Sequence, residues 1–169
     1  MLMILIDLFN SMSDVVSTVS RLFGSILSGR EKVSNETTRL LLAGPVSSGK
    51  TSLLFEYAIS YAERGEAVLF IAPKPISRLP LFVNGRSQPK AGTLKLINFV
   101  YLPTSTEFID FFSRVHLSKN RSSYGRPKHL LIDDFDSYFQ EKCPRTEDTT
   151  RIAKCLAYII DAVEYFSKM

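Results

Sequence analysis

Eight residues, Gly44-Pro45-Val46-Ser47-Ser48-Gly49-Lys50-Thr51, restrict the folds open to this chain more than any others. They follow Leu40-Leu41-Leu42-Ala43, an apolar run of strand type, and precede Ser52 to Arg64, which reads as an amphipathic helix. Two glycines let the backbone turn until consecutive N–H groups face one concavity, and the positive end of the following helix dipole points into it. The natural occupant is an anion. The pattern is that of a nucleotide phosphate loop, with Gly44, Pro45, Val46, Ser47, Ser48, Gly49 and Ser52 lining the cradle. Lys50 is predicted to reach the β- and γ-phosphates, and the Thr51 hydroxyl to ligate the Mg²⁺ that bridges them. The alternative is a degenerate loop that keeps only the backbone shape.

A chain of 169 residues fits one domain with a real core, and 45% hydrophobic residues exclude wholesale disorder. Cys143 and Cys155 are too few for a disulfide framework and read as small core or surface residues in a reducing compartment. The net charge of +4 hides an asymmetry. Residues 67–132 carry 10 basic and 2 acidic side chains, a candidate electropositive face for nucleic acid or simply solvated surface. Met1 to Ile6 is apolar, but Asp7 interrupts it and no positive segment precedes it, so neither a signal peptide nor a membrane span is expected.

Along the chain, residues 8–28 place Phe9, Met12, Val15, Val16, Val19, Leu22, Phe23, Ile26 and Leu27 at helical spacing. The apolar face of that helix needs a cover, either the core of its own domain or a partner subunit. Glu31 to Thr38 reads as a linker. Beyond the loop helix, which Gly65 can cap, Ala67 to Ala72 is a continuous apolar run of the kind found in doubly covered strands. Strand, loop, helix and strand make a βαβ start and predict a parallel sheet. Residues 73–94 form a Pro- and Gly-rich loop bearing Lys74, Arg78, Arg86 and Lys90, at the strand end where open sheets bind ligands. Leu96 to Leu102 is a third strand. Thr104 to Glu107 then fits a capping box, opening a helix that buries Phe108, Ile109, Phe112 and Val115. Ser118 to Lys128 reads as solvated loop.

His129-Leu130-Leu131-Ile132-Asp133-Asp134 is the second landmark. A buried strand delivering Asp133 at its carboxyl end sets a carboxylate beside the Mg²⁺ shell, the role this position plays in phosphate-loop NTPases. Thr146-Glu147-Asp148 starts a last helix, with Ile152, Cys155, Leu156, Ile159, Ile160, Val163 and Phe166 as its core stripe.

With both landmarks placed, the sequence resembles the RecA-like recombinase ATPases, and more narrowly the RecA-paralogue ATPases that partner a SWIM-domain protein in the animal Shu complex. The similarity runs from Leu40 to Ser167, through GPVSSGKTSLLFEYA, AVLFIAPKPISRLP, NFVYLPTSTEF and LLIDDFDSYF. It implies residues 39–169 as a partial RecA-like ATPase domain; residues 1–38, which it does not cover, read from their spacing and polarity as an N-terminal amphipathic helix and linker. It also implies ATP and Mg²⁺ as cofactors, the nucleus as location, and the SWIM-domain protein, a RecA-like recombinase and single-stranded DNA as partners. Position by position, Gly44, Gly49, Lys50 and Thr51 would bind phosphates and metal, and Asp133 would be the metal-side carboxylate.

Two departures bear on catalysis. RecA ends the strand after its loop helix with a glutamate that orients water, whereas here the tip reads Ala72-Pro73-Lys74, and a protonated lysine cannot activate water. Asp134 is the nearest substitute. Moreover, the RecA-like sheet inserts a later strand between the phosphate-loop strand and the Asp133 strand, so the fold is expected to be incomplete at its C-terminus: either the chain is a truncated product or a neighbouring segment fills that slot. A weak, DNA-stimulated ATPase is the resulting expectation. The alternatives are a non-catalytic scaffold for the SWIM-domain partner and a phosphate-loop kinase of small molecules, in which the two strands can be adjacent. Phe55-Glu56-Tyr57-Ala58 matches a recombinase docking signature, with burial in the core as the competing reading.

Overall fold

The computed structural model describes residues 2–7, 38–77, 88–117, 126–139 and 145–168. In chain order these form strands β1 (Leu2–Asp7) and β2 (Thr38–Ala43), helix α1 (Lys50–Glu63), strand β3 (Val68–Ala72) and a single helical turn α2 (Ala91–Leu94). Strand β4 (Ile97–Tyr101), helix α3 (Ser105–Arg114), strand β5 (His129–Ile132), a 3-10 turn (Phe135–Phe139) and helix α4 (Arg145–Lys168) follow. The strands make one sheet in the order β2-β1-β5-β3-β4. β3 pairs in parallel with β4 and β5, while β1 is antiparallel to both β2 and β5. Hence β2, β5, β3 and β4 run in one direction and β1 alone is reversed. The phosphate loop, Asp133, Lys74 and Thr104 therefore leave the sheet at the same end, the end where open α/β sheets bind ligands.

Alternation along the central strands sorts the core into two layers. Leu69, Ile71, Leu130 and Ile132 point into a layer with Phe108 and Phe112 of α3 and with Cys155, Ile159, Val163 and Phe166 of α4. Val68, Phe70, Ala72 and Leu131 point the other way, against Leu54, Ala58, Ile59 and Tyr61 of α1. All five β3 residues are buried, which is why that strand reads as an unbroken apolar run. Phe55 and Ala58 lie in this second layer, Phe55 stacking on Phe99 at 6.0 Å and meeting Phe70 edge-on at 6.4 Å. They are core residues of α1 and are not presented to a partner.

The caps form as expected. Gly65 takes a left-handed φ of 81° behind α1. Thr104 Oγ1 accepts from the Glu107 amide at 3.2 Å, and Glu107 Oε2 accepts from the Thr104 amide at 3.1 Å. Thr104→Ala should therefore cost about 1 kcal/mol in a denaturant titration, with nucleotide binding unchanged.

Two features differ from the sequence reading. Leu2–Asp7, placed there with the helix and linker of residues 1–38 outside the ATPase domain, is a central strand of the sheet, and it fills the slot between the phosphate-loop strand and the Asp133 strand. The physical reason is that six mostly apolar residues satisfy two ladder edges that would otherwise be left unpaired. Helix α1 also starts at Lys50, two residues before Ser52. The helix predicted over residues 8–28, Arg78, Arg86, most of the loop after α3 and Cys143 lie outside the described residues. Cys155 is buried in the core, as its small apolar character suggests.

Candidate nucleotide-phosphate site

The loop between β2 and α1 is shaped by two residues of left-handed backbone, Ser47 at φ 60° and Gly49 at φ 81°. Such alternation turns successive amides toward one side and makes an anion nest. At Gly44 the fit is close rather than exclusive: a Cβ there would stand 3.3 Å from Ser48 Oγ, so that hydroxyl would have to shift by a few tenths of an ångström, and in ordinary contact with Lys50 Nζ at 3.7 Å. Gly49 precedes the first turn of α1, and no side chain caps that terminus, which leaves its N–H groups to a ligand.

The Lys50 side chain is nearly buried, at 4% exposure, and folds back over its own loop. Its ammonium donates to Gly44 O at 3.0 Å, to Ser48 Oγ at 2.8 Å and to Pro45 O. The loop thus supplies oxygen partners for the charge that phosphate oxygens would replace. Pro45, Val46, Ser47, Ser48 and Gly49 are exposed, and Ser52 is half-buried in the first helical turn.

Across the sheet, Asp133 leaves β5 with its amide donating to Ile71 O at 2.8 Å, which ties it to the tip of β3. Thr51 Oγ1 donates to Asp133 Oδ1 at 3.3 Å. Two residues 82 positions apart thus meet although β1 separates their strands. Burial pushes the Asp133 carboxyl above its ordinary value near 3.8, and Asp134 adds to this, whereas the Thr51 hydrogen bond and Lys50 act in the opposite sense. A hydroxyl and a buried carboxylate are hard oxygen donors, so this pair fits Mg²⁺. Thr51 and Asp133 would hold the ion, and bound there it would neutralise phosphate charge.

Because the folded pKa of Asp133 is raised, its contribution to stability is present below pH 3.8 and lost as pH rises through the folded value. At neutral pH the ionised group is a liability of the nucleotide-free protein. Asp133→Asn should therefore raise the melting temperature at pH 7, by about 0.5–2 kcal/mol of stability, and the gain should vanish in acid. Mg²⁺-dependent nucleotide binding should be lost in the same variant.

Asp134 follows in the left-handed region, φ 50°, half-buried. Burial first and Asp136 second push its carboxyl up, while Lys74 and Lys50 pull it down. Asp134 is thus within electrostatic reach of both the loop lysine and the β3 tip. Tyr138 is a residue that sequence reading missed. Its hydroxyl is buried with no hydrogen-bond partner among the described residues. Burial raises its phenol, with Asp134, Asp133 and Glu107 adding to the effect. Only its position four residues past Asp134 could have signalled it.

Together these elements define an α/β sheet flanked by helices, with three strands paired in parallel, carrying a strand–phosphate loop–helix unit whose threonine faces an aspartate from across the sheet. Within that class, the chain resembles the RecA-like paralogues of the Shu type, as the motifs imply. It is 30% identical over 129 residues, 76% of its length, to the ATPase SWSAP1 of Homo sapiens. The match covers 52% of that relative, so the chain spans about half the length of the curated protein it matches. No family model matches the chain, and no solved structure does. Among the described residues no helix is long and apolar enough to cross a membrane.

Proposed function

We propose that this chain is an ATP- and Mg²⁺-binding RecA-paralogue subunit of a Shu-type complex in homologous-recombination repair. It works in the nucleus with a SWIM-domain partner, binds single-stranded DNA, supports filaments of a RecA-like recombinase and hydrolyses ATP weakly. The observation that carries the reading is the Thr51–Asp133 contact at the end of a sheet in which one strand separates the two motifs. That spacing supports a RecA-like core over a kinase-like one, where the two strands can be neighbours. The likeness to a protein named an ATPase points the same way.

Weak hydrolysis follows from the β3 tip. Lys74 stands there exposed, and Asp134, next to Asp133 in sequence, is the carboxylate we assign to take a proton from water. A scaffold role for the SWIM-domain partner is the second reading, and the same lysine favours it, since nucleotide could be held without turnover.

The DNA-binding part is tested by charge. Affinity for a single-stranded oligonucleotide should fall steeply with salt, and Lys74→Glu combined with Arg78→Glu and Arg86→Glu should weaken it about equally for all sequences and flatten the salt slope by about two units. Binding that ignores salt would refute it. ATP retention that persists without Mg²⁺ and in Asp133→Asn would refute the nucleotide part.

A further inference from the structure

Helix α1 and strand β5 touch at both of their ends. Alternation puts His129, Leu131 and Asp133 on one face of β5, the face that α1 covers. Leu131 packs in the apolar layer with α1, and Asp133 meets Thr51 at the carboxyl end of the sheet. At the other end His129 is fully buried and therefore needs polar partners. The end of α1 supplies them. The left-handed cap at Gly65 turns the chain so that the Glu66 amide donates back to Tyr61 O at 3.1 Å, and the Glu66 carboxylate then faces the start of β5. His129 Nε2 donates to Glu66 Oε2 at 2.6 Å, and its Nδ1 lies 3.4 Å from the Tyr57 hydroxyl. The Tyr61 ring closes the cluster, its centroid 4.0 Å from that of the imidazole.

Packing alone does not account for this histidine, since apolar side chains of the same volume would hold the layer as well as a buried polar cluster does. What they would not do is fix position. The contacts between α1 and the sheet are otherwise apolar and non-directional, so they tolerate small slides and tilts of the helix. The Thr51–Asp133 hydrogen bond, at 3.3 Å, is long for one between two oxygens and too weak to choose the placement by itself. Along α1, Tyr57 lies about 9 Å from Thr51, and along β5 His129 lies about 13 Å from Asp133. Two directional contacts that far apart fix slide and tilt together, which one contact cannot. We propose that His129, held by Glu66 and Tyr57, is a positioning residue of the phosphate site: it sets α1 against β5 so that Thr51 and Asp133 stand where one Mg²⁺ can bind both. What the site holds rests on the nucleotide reading proposed above.

A double-mutant cycle in the nucleotide-free full chain tests the positioning. Thr51→Val deletes the hydroxyl that donates to Asp133 and should lower the folding equilibrium constant about fivefold. In a His129→Leu background the same change should cost less than twofold, because the hydroxyl no longer reaches the carboxylate. Leucine fills most of the space of the imidazole and Glu66 keeps Lys128 at 3.9 Å, so that background should fold. Sites about 10 Å apart with no shared partner otherwise add, so equal costs in the two backgrounds would overturn the proposal. Nucleotide titration gives a second reading. His129→Leu should lose at least fivefold of the affinity that Mg²⁺ adds to ATP binding, while affinity for ATP in EDTA, which the loop supplies, stays within twofold. Loss of both together, or of neither, would equally overturn it. Should His129→Leu not fold, Glu66→Gln, which leaves the imidazole packed, must show both effects in weaker form, and its failure to do so would be decisive against the proposal. A parent that binds no ATP refutes the nucleotide reading instead, and the cycle still decides the positioning.

Discussion

Lys50→Ala should abolish the thermal stabilisation that ATP and Mg²⁺ give the wild-type protein, while the nucleotide-free variant still folds. The ammonium is buried and held by three oxygens of its own loop, two of them backbone carbonyls. Removing it deletes those hydrogen bonds but also a desolvated charge, and the carbonyls stay close to water because the loop is exposed. The two effects offset, so the unliganded stability changes by no more than about 1 kcal/mol. In the bound state nothing offsets the loss. A charge-assisted hydrogen bond is worth about 1.5–3 kcal/mol, and two to phosphate oxygens imply at least a hundredfold weaker binding. A ligand present at 100 Kd stabilises by about 2.7 kcal/mol, so the loss is readable as a melting shift that disappears. An unchanged shift in Lys50→Ala would mean that nucleotide, if bound at all, is bound elsewhere.

How much of this was open to sequence reading depends on the range of the interaction involved. The runs ending at Ala43, Ala72, Tyr101 and Ile132 are strands because their apolar content and flanking prolines or aspartates are local signals. The Thr104–Glu107 box and the Gly65 cap are likewise written within five residues of their place. Thr51 and Asp133 could be paired from motif order alone, since both strands had to end on one side of a parallel sheet. The Leu2–Asp7 strand was not legible. A run of six residues carries no sign of its direction, and its partners, Leu41 and Ile132, lie far along the chain. Nor was the fold-back of Lys50, which depends on carbonyl positions set by left-handed φ at Ser47, a residue type that does not announce it.

Ile4→Pro should eliminate nucleotide binding from a residue that approaches no phosphate. Ile4 is paired on both sides, with Leu41 of the phosphate-loop strand and with Ile132 one residue before Asp133. It therefore sets the spacing at which Thr51 meets Asp133. Proline removes a ladder donor and is confined to edge strands and bulges, so a strand paired on both sides does not accommodate it. The β3–β4–β5 unit has its own parallel pairing and two core layers, so it should survive the change. What should separate is β2 with its loop. Hydrogen exchange should then show protection lost in residues 38–43 and kept in residues 68–72, with the ATP-dependent melting shift gone. Ile4→Val keeps the donor and costs only about 0.5–1.5 kcal/mol, so it should bind nucleotide as the parent does. Normal binding in Ile4→Pro would show that the phosphate loop and Asp133 come together without the reversed strand, and the site would then have to be built on α1 alone.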